Sequence, residues 1–437
     1  MNVSIVGAGI SGLSVAISLR RTGHTVTLYD RSTLLNEVGA AINVPPNVGR
    51  VLLPWGLDPE KSRFVASRGM DFCNHKTLEP IFRVDHSTKA ADVWGVELYF
   101  AHRVDLHEAL KRLATEEDGP GVPAKIVPGT EVVEFDPETP SITLSNGTRV
   151  TSHLVVAADG INSRAVEVVL GEARPLLPAN TVNCCFRFLV PWNILAEDEN
   201  TNPFLNGHEG RAKVHSDVES KIRLVSYPCR GHEVMNFVCL LYDDKMSLDK
   251  EDWHASVPKD ELLRKFQGNV ALDAHHRHYP NRSKATDVKR WPLLYRKPIQ
   301  TWSKHLMTLA GDAAHPLLPH KAQGGAQGIE DGIALGLALS GLTSAAPKWQ
   351  VQSRLAVYED IRVKRASLQA VLSNTGYDEP IPDEIHDYLE GKPVPDTVEA
   401  QMKISYGYDV MRHIVQKMKE KVDPEFKVPS GFFPARK

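Results

Sequence analysis

One short stretch near the start constrains the fold more than any other. Val3-Ser4-Ile5-Val6 is an apolar run of strand length, and Gly7-Ala8-Gly9-Ile10-Ser11-Gly12 follows it directly. Leu13, Ala16, Ile17 and Arg20 come next at helical spacing, and a second strand-like run from Thr25 to Tyr29 ends in Asp30. Strand, G-x-G-x-x-G, helix, strand and acid within about 30 residues make a βαβ dinucleotide-binding unit. Each part has a physical task. Gly7 permits the tight turn, Gly9 lets a pyrophosphate approach the backbone, and Gly12 lets helix and strand pack closely. The helix then turns its positive end towards the phosphates, and the Asp30 carboxylate accepts from ribose hydroxyls.

Two further strand-end loops follow the same logic. Val155-Val156-Ala157-Ala158 runs into Asp159-Gly160, and Leu309-Ala310 runs into Gly311-Asp312. Three such loops predict one long ligand lying across the carboxyl edge of a parallel sheet. After Gly311-Asp312 the chain reads AAHPLLPHKAQGGAQGIED, with Pro316 and Pro319 stiffening a loop and Gly324-Gly325 opening an apolar helix from about Ala326. Glu330 and Asp331 fall at the start of that helix, where acids are favoured by the dipole, so a capping role is expected for them.

Composition narrows the class. The chain has 437 residues, 42% hydrophobic and 24% charged, which predicts a soluble protein of two or three domains. A net charge of −3 without a basic stripe gives no case for nucleic acid. A strand starting at residue 3 leaves no room for a signal peptide, and no apolar run reaches about 18 residues, so a cytoplasmic protein without a membrane span is expected. The five cysteines lack a Cys-x-x-Cys pair and read as reduced packing residues. His275, His276 and His278 lack a matching acid or thiol pattern and read as surface histidines, and no metal site is expected.

These residues resemble the single-component, FAD-dependent aromatic hydroxylases, the group that includes salicylate hydroxylase and p-hydroxybenzoate hydroxylase, and look closest to the salicylate-hydroxylase-like members common in fungi. The resemblance covers roughly residues 1 to 370. It rests on the glycine fingerprint, Asp159-Gly160, Gly311-Asp312 with its glycine-rich sequel, His102-Arg103-Val104-Asp105-Leu106, and Tyr358-Glu359 with Arg362 and Arg365. The family's Asp-Gly motif usually carries an arginine where this chain has Val166; Arg164 is out of phase.

The resemblance implies an α/β fold. A Rossmann-type, glutathione-reductase-like FAD-binding domain takes residues 1–70, 98–178 and 290–345. An inserted antiparallel-sheet substrate domain takes 71–97 and 179–289, and a C-terminal helical region takes 346–437. Short strands are expected around an Asn146-Gly147 hairpin turn, at Val182–Val190, Lys221–Tyr227 and Val234–Leu241, and one amphipathic helix from Val398 to Lys421. The cofactor-binding set it implies is Gly7, Gly9, Ile10, Ser11, Gly12, Asp30, Arg31, Arg103, Asp159, Asp312, Gly324, Gly325 and Ala326. Asp312 is assigned to the ribityl chain, and Pro316 to the neighbourhood of the flavin ring. The implied reaction uses NADH or NADPH and O2 to hydroxylate a small phenolic or electron-rich aromatic through C4a-hydroperoxyflavin, in a monomer or homodimer. Arg187, in the apolar strand Cys184 to Val190, and Tyr227 are candidates for meeting a substrate phenolate or carboxylate. Another flavoprotein oxidoreductase or epoxidase acting on a non-phenolic metabolite is the alternative. The missing C-terminal membrane helix and paired cysteines argue against membrane epoxidases and disulfide reductases. The complete set of three motifs argues against the lipid carriers of small GTPases that share this fold.

Overall fold

The computed structural model describes residues 1–33, 40–75, 77–86, 90–179, 182–199, 201–217, 219–244, 256–265 and 286–434. The histidines at 275, 276 and 278 lie outside these residues.

The opening βαβ unit forms as its sequence requires. Five parallel strands run in the order Met307–Leu309, Leu154–Ala157, Asn2–Val6, Thr25–Tyr29, Lys125–Val127, with the antiparallel strand Ser303–Lys304 on one edge. Leu154–Ala157 is buried at every residue, which explains its unbroken apolar composition, and Met307–Leu309 is buried throughout as well. Register decides where the site can be. Val6 lies beside Tyr29 on one side and Ala157 on the other, and Ala157 lies beside Leu309. Four carboxyl ends are therefore level, and the segments leaving them share one edge.

Helix Ile10–Arg21 and helix Gly324–Leu339 pack in the same direction against this sheet's core. Gly328, Gly332 and Gly336 make the close approach possible. A Cβ on any of them would overlap Ser11, Ser14 or Ser18 respectively. The stripe brings both helix N-termini to the same sheet edge. Helix Lys348–Leu372 packs behind them.

A second, seven-stranded sheet runs Thr286–Pro292, Cys184–Pro191, Val234–Leu241, Ile222–Cys229, Arg211–Asp217, Gly69–Asn74, Pro80–Asp85. Its neighbours are antiparallel except for Arg211–Asp217 with Gly69–Asn74. A small sheet of Ala41–Val44, Tyr99–His102 and Val65–Ala66 joins the two layers. A separate antiparallel meander, Val132–Asp136, Ser141–Leu144 and Arg149–Thr151, turns at Gly147 with φ +83°. The expected α/β architecture with an added antiparallel sheet is the one observed.

Two local expectations need correction. The strand expected to end at Tyr227 continues through Pro228 to Cys229. Its neighbour Arg211–Asp217 pairs only as far as Ser226, so Pro228 sits where one side has no ladder to supply. The single helix expected over Val398–Lys421 is two, Val398–Tyr406 and Val410–Lys421. Gly407 ends the first, and the Asp409 side chain caps the second by accepting from the Arg412 N–H at 2.9 Å. All five cysteines are buried and none is in a disulfide.

Candidate active site

The level strand ends bring the three sequence motifs together. The Gly7 N–H donates to the Tyr29 carbonyl, Ala158 N–H to Val6, and Ala310 N–H to Ala157, at 2.8, 2.8 and 2.9 Å. Gly7 has φ +96°, and a Cβ there would overlap the Ala158 carbonyl. Gly12 presses on the Gly7 carbonyl, and Ser11 fills the space against Gly311 and Gly328. Gly9 differs from all of these. A Cβ on Gly9 would meet nothing within 4 Å, and the same holds at Gly160 and Gly324. These three backbones border open space. Gly325 does not, because a Cβ there would crowd Ile42. The helix expected from about Ala326 begins two residues earlier, at Gly324; Ile10 and Ala326 are buried in the helix pair.

The acids on this edge face that space. Asp159 is held near its own turn, and its Oδ1 is buried with no hydrogen-bond partner. Burial pushes its carboxyl up to about 6, opposed by the Ser163 hydroxyl and, more weakly, by Arg31. Asp312 is water-accessible yet enclosed by protein, and that enclosure raises its carboxyl above the usual range, with His315 and Arg103 opposing. Asp30 takes the Ala8 N–H at 2.6 Å and the Ser32 N–H and hydroxyl at 2.8 and 2.7 Å, so it also sets the glycine loop. Arg31 is exposed beside it. Arg103 opens the helix Arg103–Thr115, and its N–H donates to Ala40 at 2.8 Å. Val166 is buried and Arg164 exposed, so no arginine from this turn enters the cleft.

Open glycine backbones, an unpartnered buried carboxylate oxygen and two helix N-termini along one edge fit a long, anionic, hydroxyl-bearing ligand such as FAD. Gly9, Asp159, Asp312 and Gly324 are the residues best placed to hold it, with Gly7 shaping the turn that presents them.

Beyond Gly324 the cleft opens into a cavity of about 260 Å³ between the two layers. Its walls are mainly apolar and include Ile42, Phe72, Phe100, Val225 and Leu318. Arg187 and Tyr227 both line it. Arg187 donates to the Ala41 carbonyl at 2.7 Å and lies 4.9 Å over the Trp291 ring, with no acid in ion-pair range among the described residues. Tyr227 packs against Phe100 with centroids 4.8 Å apart. Burial pushes its phenol up to about 12, with Arg187 opposing, so the hydroxyl keeps its proton. Pro316 is buried; its neighbours Leu317 and Leu318 line the cavity.

The structure overturns the capping role expected for Glu330 and Asp331. Both are fully buried on the second turn of their helix. Arg362 pairs with Glu330 and, at 2.8 Å, with Asp331; Arg365 reaches Glu330 at 3.1 Å. Asp331 also accepts from the Gly311 N–H at 2.7 Å and lies 2.6 Å from His315. Burial alone would raise the Asp331 carboxyl, but His315 and Arg362 hold it down to about 2. The earlier helix start moves these acids away from the free N–H groups that capping needs.

Other supporting residues gave no sequence signal. His107 lies 2.8 Å from the Ala8 carbonyl, and Asn47 donates to Glu330 at 2.6 Å. Arg296 donates to Ile161 and Ala313 at 2.9 and 3.2 Å, tying the two Asp-Gly loops together.

Comparison with known proteins decides the family. Residues 1–374 match the family model described as "FAD binding domain". The chain belongs to that family. It is 43% identical over 434 residues to the FAD-dependent monooxygenase cfoG of Aspergillus candidus, covering 99% of this chain and 98% of that one. It is 32% identical over 420 residues to hispidin-3-hydroxylase of Neonothopanus nambi, covering 94% of each. Among solved structures, a salicylate hydroxylase substrate complex superposes with a TM-score of 0.70 at 20% identity, over 95% of this chain and 98% of that one. The chain is thus an FAD-dependent monooxygenase, as the resemblance implied. Among the described residues no helix is long and apolar enough to cross a membrane.

Proposed function

We propose that this monooxygenase hydroxylates a small, electron-rich aromatic bearing an acidic hydroxyl or carboxyl group, with NADH or NADPH as reductant and O2 as the oxygen source. The observation that carries the reading is the largely apolar cavity that opens on Gly324 and holds Arg187 with no acid partner among the described residues. FAD, when bound, supplies the hydride acceptance and oxygen activation. The chain's own residues do the rest. Gly9 and the Ile10–Arg21 helix end receive the pyrophosphate; Asp30, Asp159 and Asp312 accept from hydroxyls of the cofactor. Gly324 and the N-terminus of its helix offer N–H groups and a positive dipole to a ring that becomes anionic on reduction.

In the cavity, Arg187 attracts an anionic group of the substrate and lowers the pKa of a neighbouring phenol, which enriches the ring. Tyr227, protonated, donates a hydrogen bond. Apolar walls exclude water, which protects the activated oxygen from wasteful release as peroxide. The volume lies near the lower end of ligand pockets, roughly 300–1,000 Å³, and suits one or two rings. The division of the chain into a discontinuous cofactor domain and an inserted substrate domain belongs to the same reading, with the cavity between them.

The test is a panel of phenols, salicylates, resorcylates and indoles, scored for substrate-stimulated NAD(P)H oxidation and for hydroxylated product. The expected result is slow oxidation alone and a large rise with one phenolic class, coupled to product. Fast oxidation that no aromatic changes would indicate an oxidase instead.

A further inference from the structure

Lys321 stands apart from the other charged groups of the cavity. It is 4% exposed, yet its Nζ lines the cavity and has no hydrogen-bond partner. Among the described residues it has no ion-pair partner, and Nζ lies 3.9 Å from the centroid of the Tyr377 ring. The following residue, Ala322, is in the left-handed region at φ +52°, which closes the turn Pro319–Lys321. A non-glycine residue there costs free energy that the surrounding structure must overcome.

The groups facing Lys321 do not neutralise it. Arg223, from the seven-stranded sheet, pairs with Asp378, lies 3.6 Å from Glu379, and is 3.0 Å from His320 Nδ1. Both acids are thus engaged by Arg223, and neither lies in ion-pair range of Lys321. Burial pushes the Lys321 ammonium down to about 7; Arg223 adds to that, and Asp378 and Glu379 oppose it. The other ionisable lining groups are poor proton acceptors. The Arg187 and Arg223 guanidinium groups offer donors only, burial raises the phenols of Tyr227, Tyr377 and Tyr406 so that they keep their protons, and His320 and Asp378 are engaged by Arg223.

We propose that Lys321 is the base of the cavity: its free amine takes the proton of the substrate's acidic aromatic hydroxyl and then holds the oxyanion. The step balances without another reagent. One O–H bond breaks, one N–H bond forms, and no electrons change owner. The proposal rests on the hydroxylase reading above and sharpens its substrate class. A buried amine without an ion-pair partner among the described residues gains most from a hydroxyl that gives up its proton readily. A plain phenol, at about 10, is poorly matched. The favoured substrate is therefore a phenol acidified by a conjugated carbonyl, or an enol of comparable acidity. Arg187, whose guanidinium carries donors and no acceptor, stabilises charge but offers no lone pair for the proton.

The experiment uses the FAD-loaded enzyme and the three mononitrophenols, whose phenolate and phenol forms absorb differently. Difference spectra are recorded against pH for wild type, Lys321→Met and Lys321→Arg. Wild type is expected to bind the probe as phenolate at a pH below the free probe's pKa. Its affinity should be bell-shaped in pH, because the complex holds one proton between two groups. Lys321→Met should bind at least tenfold more weakly and as neutral phenol. Lys321→Arg should recover phenolate binding but lose the alkaline fall, since a guanidinium does not titrate. Phenolate binding by Lys321→Met at wild-type affinity, neutral-phenol binding by wild type, or no binding of any nitrophenol would each overturn the assignment. NAD(P)H oxidation by the same samples separates the two readings. Phenol-stimulated oxidation that survives unchanged in Lys321→Met removes Lys321 but leaves the hydroxylase. No stimulation of wild type by any aromatic of the panel removes the hydroxylase reading itself.

Discussion

Gly7 and Gly9 stand two residues apart in one loop and lack side chains for opposite reasons. Gly7 has φ +96° and touches the next strand's carbonyl, so its requirement is structural. Gly9 faces open space, so its requirement concerns a ligand. Gly9→Val should fold with a normal thermal midpoint and purify with little flavin, read as flavin absorbance per protein. Gly7→Ala should lose stability, about 1–3 kcal/mol from the backbone strain alone, before any question of cofactor arises. Two variants with the same phenotype would mean that Gly9 has no separate contact with the cofactor. Arg187→Met tests the cavity at the same scale. Methionine keeps the stem's packing and removes the charge. With the true substrate, kcat/KM should fall by about 2–3 kcal/mol, roughly 30- to 160-fold, at unchanged flavin content. An unchanged kcat/KM would confine Arg187 to its bonds with Ala41 and Trp291.

At the scale of elements, the helix Gly324–Leu339 is fixed on two sides. Its glycine stripe seats it on the helix Ile10–Arg21, and Glu330 and Asp331 tie it to Arg362 and Arg365 of the helix Lys348–Leu372. Asp331 also holds the Gly311 N–H, so the ion cluster braces the loop that presents Asp312. Arg362→Met leaves two buried carboxylates short of a partner and should cost about 3–5 kcal/mol, measured by denaturant unfolding, with flavin lost in parallel. A loss below 1 kcal/mol would mean that Arg365, His315 and Asn47 compensate. What could be read from the sequence follows the range of the interaction. The βαβ unit, the Asn146-Gly147 turn and the three strand-end loops are local patterns, each carried by a short run of residues. The pairing of Glu330 with Arg362 spans 32 positions, and spacing alone reads both acids as cap residues. Lys321 is harder still. Its isolation depends on Arg223 taking both Asp378 and Glu379, an arrangement of three distant segments with no trace in any of them.

Across the whole molecule, burial of neutral histidines makes stability depend on pH. His24, His86, His102 and His215 are each at most 4% exposed, and burial pushes each down to about 4 from an ordinary 6.5. They come from different parts of the fold: the glycine-loop unit, the segment after the strand Pro80–Asp85, the linking sheet and the seven-stranded sheet. The sign follows from proton uptake. Below 6.5 these histidines protonate in the unfolded chain and stay neutral in the folded one, so unfolding takes up protons. Their contribution is intact above 6.5 and is lost as pH falls towards about 4, where the folded side chains also protonate. Each can remove up to about 1.4 kcal/mol per pH unit within that window. Asp159 acts in the opposite direction, because its folded carboxyl is raised to about 6, and Asp312 is raised as well. Lys321, lowered to about 7, loses its contribution mostly above the window. Four groups against two leave a net uptake, and a domain of ordinary stability, about 5–15 kcal/mol, should approach unfolding before carboxylates of ordinary pKa protonate. Urea midpoints measured across the window should fall with a slope of at least one proton, and His86→Asn should make the fall shallower. A flat profile through the window would show that these four histidines are not neutral and buried together in the native protein.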